Sequence, residues 1–242
     1  MEIGKFRRFL LDRGMVYFYA TYIAGYFLLP MASGHRKLYY ILVLPAVALL
    51  WRELLAFYRD NLLARLVLAY VAYMMATLLW TSNFTPQEAL GTLGYGLAVL
   101  SFCLISGYLW TEQAQRMDRL AHRSVWLAAG AALVSIVAWY SQNPFPSSRI
   151  ITLGVMHHEN KAACAYGLFL LLSAHYLFTE RGRNNKLTYG CLALVLLALV
   201  LFTQSRTALA AVSVGLVVLI GYRAIGLLLV ATGISWALVA SN

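Results

Sequence analysis

The sequence predicts an all-α polytopic membrane protein, a bundle of about nine transmembrane helices with a cytoplasmic N-terminus. Three observations predict this class. The chain of 242 residues is 62% hydrophobic and only 12% charged, with a mean hydropathy of +0.71, whereas soluble domains average about 25% charged residues. Its apolar residues form runs of helix length rather than short alternating strands, which excludes an outer-membrane barrel. Basic residues fall mainly in alternate connectors between these runs.

Four spans are predicted in the N-terminal part of the chain. They are Met15–Ala32, Leu38–Trp51, Leu66–Trp80 and Ala89–Trp110. The basic start resembles a signal peptide, but Pro30-Met31-Ala32-Ser33 is a poor cleavage site and the segment is long, so we interpret it as an uncleaved helix. Pro45 is expected to kink the second span. A charged, amphipathic connector from Arg52 to Arg65 leads to the third, and Pro86 is well placed to open the fourth.

Five further spans are predicted after a second charged connector at residues 111–123. They are Ser124–Tyr140, Ala162–Thr179, Leu187–Thr203, Ala208–Ile220 and Ala224–Ala240. Aromatic residues near span ends, such as Trp139 and Tyr140, are typical of the belts at membrane interfaces. Since the sequence contains no repeat, low-complexity tract or soluble domain, we predict a single transmembrane domain over residues 1–242.

The distribution of lysine and arginine predicts the orientation. With the N-terminus inside, fourteen of the nineteen basic residues lie in inner connectors: Lys5, Arg7, Arg8, Arg13, Arg52, Arg59, Arg65, Arg116, Arg119, Arg123, Arg181, Arg183, Lys186 and Arg223. Cytoplasmic connectors carry such an excess, so the net charge of +10 needs no nucleic acid as a partner. The same topology places residues 141–161 and 203–207 together on the outer face.

A tight polar turn at residues 203–207 carries a single arginine, Arg206, between two apolar runs. A charged side chain in hydrocarbon costs about 2.5–3.5 kcal/mol on insertion scales, so Arg206 must reach the interface or meet an anion. Two interpretations stay open. Arg206 either snorkels from a helix end, or its guanidinium binds a phosphate at the membrane surface.

Other polar groups are predicted on the same face. Arg149 and Lys161 are cations there, and His157, His158 and Asn160 lie at the start of the sixth span. Asn160 is a reasonable N-cap, and the free amides of a helix N-terminus suit an anion. Together these groups would suit a diphosphate whose lipid tail lies between helices, whereas capping and snorkelling account for each residue separately.

No metal site and no cofactor are predicted. His157-His158-Glu159 supplies ligand types, but adjacent side chains point apart, and no His-Glu-x-x-His or carboxylate pair accompanies them. The three cysteines fall inside apolar runs, and we interpret them as small buried side chains.

Two short elements resemble the O-antigen ligase and O-antigen polymerase superfamily of bacterial envelopes. Members typically show a His-x-Asn element at the mouth of one helix and a Thr-x-Ser-Arg element after the following helix. The matching positions are His158 and Asn160 for the first element, and Thr203, Ser205 and Arg206 for the second. The predicted helix count and orientation are similar as well.

The resemblance implies a metal-independent, inverting glycosyltransferase at the periplasmic face of the inner membrane. It would move a glycan from undecaprenyl diphosphate to an acceptor sugar hydroxyl, that of lipid A-core in the ligases, in lipopolysaccharide O-antigen or related polysaccharide synthesis. Ligation and polymerisation both fit. Arg206 matches the family's diphosphate-binding arginine. We assign Arg149, Lys161, His158 and Asn160 to substrate binding, the last two by shaping the helix mouth.

Family members continue past the ninth helix into a large periplasmic loop that carries a second arginine and a histidine thought to activate the acceptor. This chain stops at Asn242, where that loop should begin, so we expect the general base and acceptor site to be missing from it. The alternative function is a non-enzymatic polytopic assembly or transport component, or an inactive fragment, whose outer arginines only anchor helices among the membrane lipids.

Overall fold

The computed structural model describes residues 3–29, 32–77, 85–145, 148–154 and 159–221 of the chain. These residues form α-helices and two π-helical turns and contain no strand, which confirms the all-α class. The helices are α1 (Ile3–Phe9), α2 (Met15–Leu28), α3 (Ala32–Leu38), α4 (Leu44–Leu49), α5 (Trp51–Asp60), α6 (Leu62–Ala76), α7 (Pro86–Glu112), α8 (Ala114–Tyr140), α9 (Glu159–Thr179), α10 (Arg183–Phe202) and α11 (Arg206–Ile220).

Among the residues that the structure describes, four helical segments are long and apolar enough to cross a membrane. They are Leu90–Glu112, Ala114–Tyr140, Glu159–Thr179 and Arg183–Phe202. Shorter apolar segments occur at Arg65–Ala76 and Arg206–Leu219. About 20 apolar residues are needed to cross the hydrocarbon, so these four segments indicate a membrane protein. The predicted ninth span, Ala224–Ala240, lies outside the described residues, and the nine-span topology stays a prediction.

Both charged connectors predicted from the sequence are helical in the structure. Residues 52–65 belong mostly to α5 and the start of α6, and residues 111–123 are helical apart from Gln113. Arginine, glutamate and glutamine are good helix formers, so a fall in hydropathy does not end a helix. The helix is irregular just before Pro45, where a π-helical turn spans Tyr39–Val43. Proline has no N–H to donate to the preceding turn, so an irregularity is expected at this position.

The cysteines show where hydropathy misled the prediction of burial. Cys164 and Cys191 are exposed and Cys103 is half-buried, so the prediction of buried cysteines was wrong. Large apolar side chains are exposed as well, for example Leu194 by 66% and Val218 by 79%. An apolar run in a membrane protein faces lipid on one side and protein on the other, and composition does not distinguish the two sides.

The described residues form two compact units. The first contains the residues up to Tyr22 and those from Ser33 to Leu120, and the second contains Ile23 to Ala32 and the residues from Ala121 onward. Each unit has its own apolar core. The prediction of one domain over the whole chain stays a prediction.

In the second unit, α8, α9 and α10 run in alternating directions. At one end, the ring of His122 near the start of α8 stacks on Tyr176 near the end of α9 at 3.8 Å, and Tyr189 near the start of α10 lies 5.2 Å from Tyr176. At the other end, Tyr140 and Phe202, the last residues of α8 and α10, lie 5.4 Å apart. Consequently α9 is antiparallel to both neighbours.

Helices α9 and α11 run parallel and pack closely. A Cβ atom added to Gly167 would lie 2.6 Å from Cγ2 of Val212, and one added to Gly215 would lie 2.5 Å from Cδ1 of Leu171. Residue numbers therefore rise together along the two helices, with an offset of about 45. The N-terminus of α11 thus lies beside that of α9, at the end of the unit where α8 and α10 finish.

Candidate functional site

The turn between α10 and α11 fixes the position of Arg206. The hydroxyl of Thr203 donates to the carbonyl oxygen of Val200 at 2.6 Å and closes α10. Ser205 is the N-cap of α11, and its Oγ accepts a hydrogen bond from the N–H of Ala208 at 3.4 Å. Arg206 is therefore the first residue of α11, and its side chain is exposed. The tight turn predicted from the sequence is confirmed.

Gln204 supplies the bend in this turn. Its φ of 52° lies in the left-handed region, which disfavours residues with a Cβ atom by roughly 1–2 kcal/mol. Its backbone N–H donates to the carbonyl oxygen of Leu201 at 2.9 Å, and its side-chain oxygen accepts from Nε of Arg149 at 3.4 Å. Gln204 therefore joins the turn to a cation that lies far from it in sequence.

The loop after α8 packs against the same turn. The backbone N–H of Ile150 donates to the carbonyl oxygen of Phe202 at 3.2 Å, and the Ile150 side chain is fully buried. Because Ile150 is anchored in this way, its neighbour Arg149 stays beside Gln204 while remaining exposed. Residues 149 and 150 thus lie against residues 202–204 at one end of the second unit, and the shared outer face predicted for the two stretches stays a prediction.

Aromatic residues hold this loop in place. The rings of Tyr140, Phe145 and Phe202 form a triangle with centroid distances of 5.0, 5.4 and 5.4 Å. Two hydrogen bonds add to it, from Nε1 of Trp139 to Oγ of Ser148 at 3.2 Å and from the Tyr140 hydroxyl to the Ser148 carbonyl at 3.0 Å. The two aromatic residues interpreted from sequence as an interface belt therefore also position the loop.

The position of Lys161 follows from the way α9 packs beside α11. This helix begins at Glu159, so Asn160 lies in its first turn, and the prediction of Asn160 as the N-cap was wrong by a residue or more. Asn160 and Lys161 are both exposed. The offset of about 45 between α9 and α11 places Lys161 level with Arg206, and axes of packed helices are about 8–10 Å apart.

His157 and His158 fall outside the described residues. The assignment of His158 to substrate binding therefore stays a prediction. It directly precedes α9, whose first turn carries Asn160 and Lys161.

The three cations at this end have no acidic partner within the described part of the chain. Arg149 contacts the neutral amide of Gln204, and the side chains of Lys161 and Arg206 form no hydrogen bond or ion pair with the described residues. The backbone N–H groups of Arg206 and Thr207 also belong to the first turn of α11, where partners within the helix are missing. This end of the unit can therefore accept an anion with more than one negative charge.

Sequence reasoning identified the cations but missed the residues that hold them. Gln204, Phe145 and Ser148 have no chemical role of their own, and only their contacts in the folded structure show that they position the loop and the turn. One local signal existed for Gln204, because a glutamine between Thr203 and Ser205 interrupts an apolar helix where a turn residue is needed.

No group of three or more His, Cys, Asp and Glu side chains that could hold a metal ion occurs among the residues that the structure describes. No protein-family model, curated protein or solved structure matches this chain.

Proposed function

We propose that this protein binds a lipid-linked glycan diphosphate at one membrane face and takes part in transfer of the glycan to an acceptor hydroxyl. The observation that carries the proposal is the convergence of Arg149, Lys161 and Arg206 at one end of the second unit, without an acidic partner in the described residues. The resemblance of the two helix-end elements to the O-antigen ligase and polymerase superfamily supplies the reaction class.

Diphosphate chemistry suits this end of the unit. A guanidinium forms paired hydrogen bonds to phosphate oxygens, and Arg206 is placed on the first turn of a helix, where the dipole also favours an anion. Lys161 at the same level adds a second charge from α9. Arg149, held by Gln204, approaches from the loop. The isoprenoid tail of such a donor would lie among the exposed apolar faces of the helices.

In the proposed reaction, the bond between the anomeric carbon and the diphosphate oxygen breaks. The electron pair leaves with the lipid diphosphate, and the acceptor hydroxyl forms the new glycosidic bond as it loses its proton. Arg206 would stabilise the charge that develops on the departing diphosphate. The base that takes the proton is not among the residues we assign. Attack opposite the leaving group inverts the anomeric centre.

The topology belongs to the same proposal. Nine spans and a cytoplasmic N-terminus would place the cation site on the periplasmic face of a bacterial inner membrane, as the excess of basic residues in the alternate connectors favours. Acceptors would be lipid A-core or a growing glycan.

Binding of undecaprenyl diphosphate to the purified protein in lipid nanodiscs tests the proposal. We expect Arg206→Ala to lower the affinity at least tenfold and Arg206→Lys to lower it several-fold, because lysine keeps the charge but loses the paired contact. Arg183→Ala is the matched control, since Arg183 is the exposed first residue of α10 at the opposite end of the unit.

Three outcomes contradict the proposal: no binding by the unaltered protein, unchanged affinity in both Arg206 variants, or an equal loss in Arg183→Ala. Any of these would favour the alternative, a non-enzymatic membrane component whose arginines anchor helix ends. If binding is confirmed, loss of glycan transfer in cells that carry Arg206→Ala would connect the site to the reaction.

A further inference from the structure

Helix α5 is the charged amphipathic segment that the proposed function does not use. Its inner side belongs to the core of the first unit, where Leu54 is 1% exposed beside Leu50, the fully buried residue directly before the helix. Glu53 forms an ion pair with Arg7 of α1. This pair neutralises one of the two acidic residues of α5, and the side chain of the other, Asp60, lies outside the described set.

The outer side of α5 combines apolar and basic residues. Trp51 and Leu55, one turn apart, are 52% and 49% exposed, and Arg52 and Arg59, two turns apart, are exposed as well. At 3.6 residues per turn the four side chains fall within an arc of about 100°. The guanidinium carbon of Arg52 lies 5.6 Å from the centre of the Trp51 ring. We call these four residues the α5 outer face.

This face does not fit either bulk water or the hydrocarbon core. A helix of 10 residues is about 15 Å long, half of what is needed to cross the hydrocarbon. Two arginines on the face would cost several kcal/mol in lipid tails, whereas an exposed tryptophan and leucine gain from leaving water. The headgroup layer satisfies both requirements, because the apolar side chains enter the acyl boundary while the arginines stay at phosphate level.

We propose that the α5 outer face is a binding surface for anionic phospholipid headgroups and that α5 lies along the membrane surface. The positive charge of the α5 outer face favours an anionic headgroup as its partner. Arg52 and Arg59 have no acidic neighbour among the described residues of this face, and each basic residue near an anionic membrane contributes about a fivefold preference at physiological salt. Trp51 and Leu55 set the depth of the helix, and the arginines select the headgroup.

Fluorescence quenching in reconstituted vesicles tests this surface. The protein is placed in phosphatidylcholine vesicles that contain either brominated phosphatidylglycerol or brominated phosphatidylcholine, and the signal of Trp51 is taken as the difference between the unaltered protein and Trp51→Phe. We expect brominated phosphatidylglycerol to quench Trp51 with about 25-fold higher relative affinity, since each of the two arginines contributes about fivefold. Arg52→Gln/Arg59→Gln should abolish that preference, and high salt should weaken it.

Two controls separate a built surface from general charge attraction. Trp126 on α8 is 55% exposed within a candidate span, so its signal, isolated with Trp126→Phe, should respond equally to the two brominated lipids. Arg181→Gln/Arg183→Gln changes the net charge by the same amount in the second unit and should leave the Trp51 preference intact.

The proposal is overturned if Trp51 is quenched equally by both lipids, or if the preference survives Arg52→Gln/Arg59→Gln. Equal loss in the Arg181 and Arg183 variant also overturns it, because that result means net charge alone attracts the lipid. Thermal unfolding in neutral detergent shows whether the α5 variants are folded. If the double variant is unfolded, Arg59→Gln alone is used, and it should reduce the preference several-fold.

Discussion

The backbone N–H of Ile150 donates a hydrogen bond to the carbonyl oxygen of Phe202 at 3.2 Å. This bond joins the loop after α8 to the turn before α11 across about fifty residues of sequence. Two residues beyond Phe202, Gln204 accepts from Arg149, so one backbone contact brings a second cation to the helix end that carries Arg206.

The space around two glycines predicts that substitution by alanine changes stability in opposite directions. Gly167→Ala should destabilise the protein by about 1–3 kcal/mol, because the new methyl group overlaps Val212 and overpacking costs that much. Gly130→Ala in α8 should stabilise by up to about 1 kcal/mol, since nothing lies within 4 Å of the added atom and alanine favours helix. Thermal unfolding in a mild detergent measures both changes.

The double variant Gly167→Ala/Val212→Ala provides the control for this packing argument. It should recover part of the stability lost in Gly167→Ala, because removal of the valine methyl groups makes room for the new one. Equal destabilisation by Gly167→Ala and Gly130→Ala would contradict the close approach of α9 and α11.

Because Gln204 has a left-handed conformation, its substitution should affect the stability of the fold and the binding of the anion in different ways. Gln204→Gly should stabilise the fold or leave it unchanged, because glycine adopts this φ without strain, while binding of undecaprenyl diphosphate weakens as Arg149 loses its partner. Gln204→Val should destabilise by about 2 kcal/mol, because a β-branched side chain is least compatible with a positive φ. Equal melting temperatures of the two variants would rule out this account.

Two substitutions of Ser205 distinguish the effect of helix capping on stability from the effect of charge on diphosphate binding. Ser205→Ala should cost about 1 kcal/mol of stability with little change in diphosphate affinity. Ser205→Asp retains a capping oxygen and the stability, but its negative charge lies next to Arg206 and should lower the affinity severalfold. Unfolding curves and nanodisc binding on the same preparations measure both quantities, and equal binding by the two variants would argue against an anion site at this helix end.

His35 predicts a pH dependence of stability in the first unit. The ring is 6% exposed, its Nε2 donates to the carbonyl oxygen of Tyr22 at 3.1 Å, and burial lowers the pKa of His35 below its usual 6.5, although the Tyr22 contact opposes the shift. The unfolded chain therefore binds a proton more readily than the folded one. Stability should fall as pH decreases below about 6.5, and His35→Gln should reduce this decline. Unfolding temperatures between pH 5 and pH 8 test it, and identical profiles would contradict it.

The sequence predicted the C-terminal ends of α8, α9 and α10 well. Predicted spans ending at Tyr140, Thr179 and Thr203 finish within a residue of α8, α9 and α10, because apolar runs of that length have few alternatives to a helix. Helix starts were less accurate. The charged residues before Ser124 and Leu187 continue the helical backbone, and hydropathy carries no information about a polar helical turn.

By itself the sequence determined a helical chain suited to a membrane, a tight turn before Arg206 and a small set of cations at helix ends. Local sequence determines these properties, because hydropathy shows which segments suit a membrane and a serine such as Ser205 caps the helix that follows it. The tertiary structure alone decided which cations meet. Lys161 is level with Arg206 because glycines allow α9 and α11 to pack closely in parallel, and Arg149 joins them because Ile150 and Gln204 hold the loop. Contacts of this kind depend on residues that are distant in the chain and chemically unremarkable, so no local pattern encodes them.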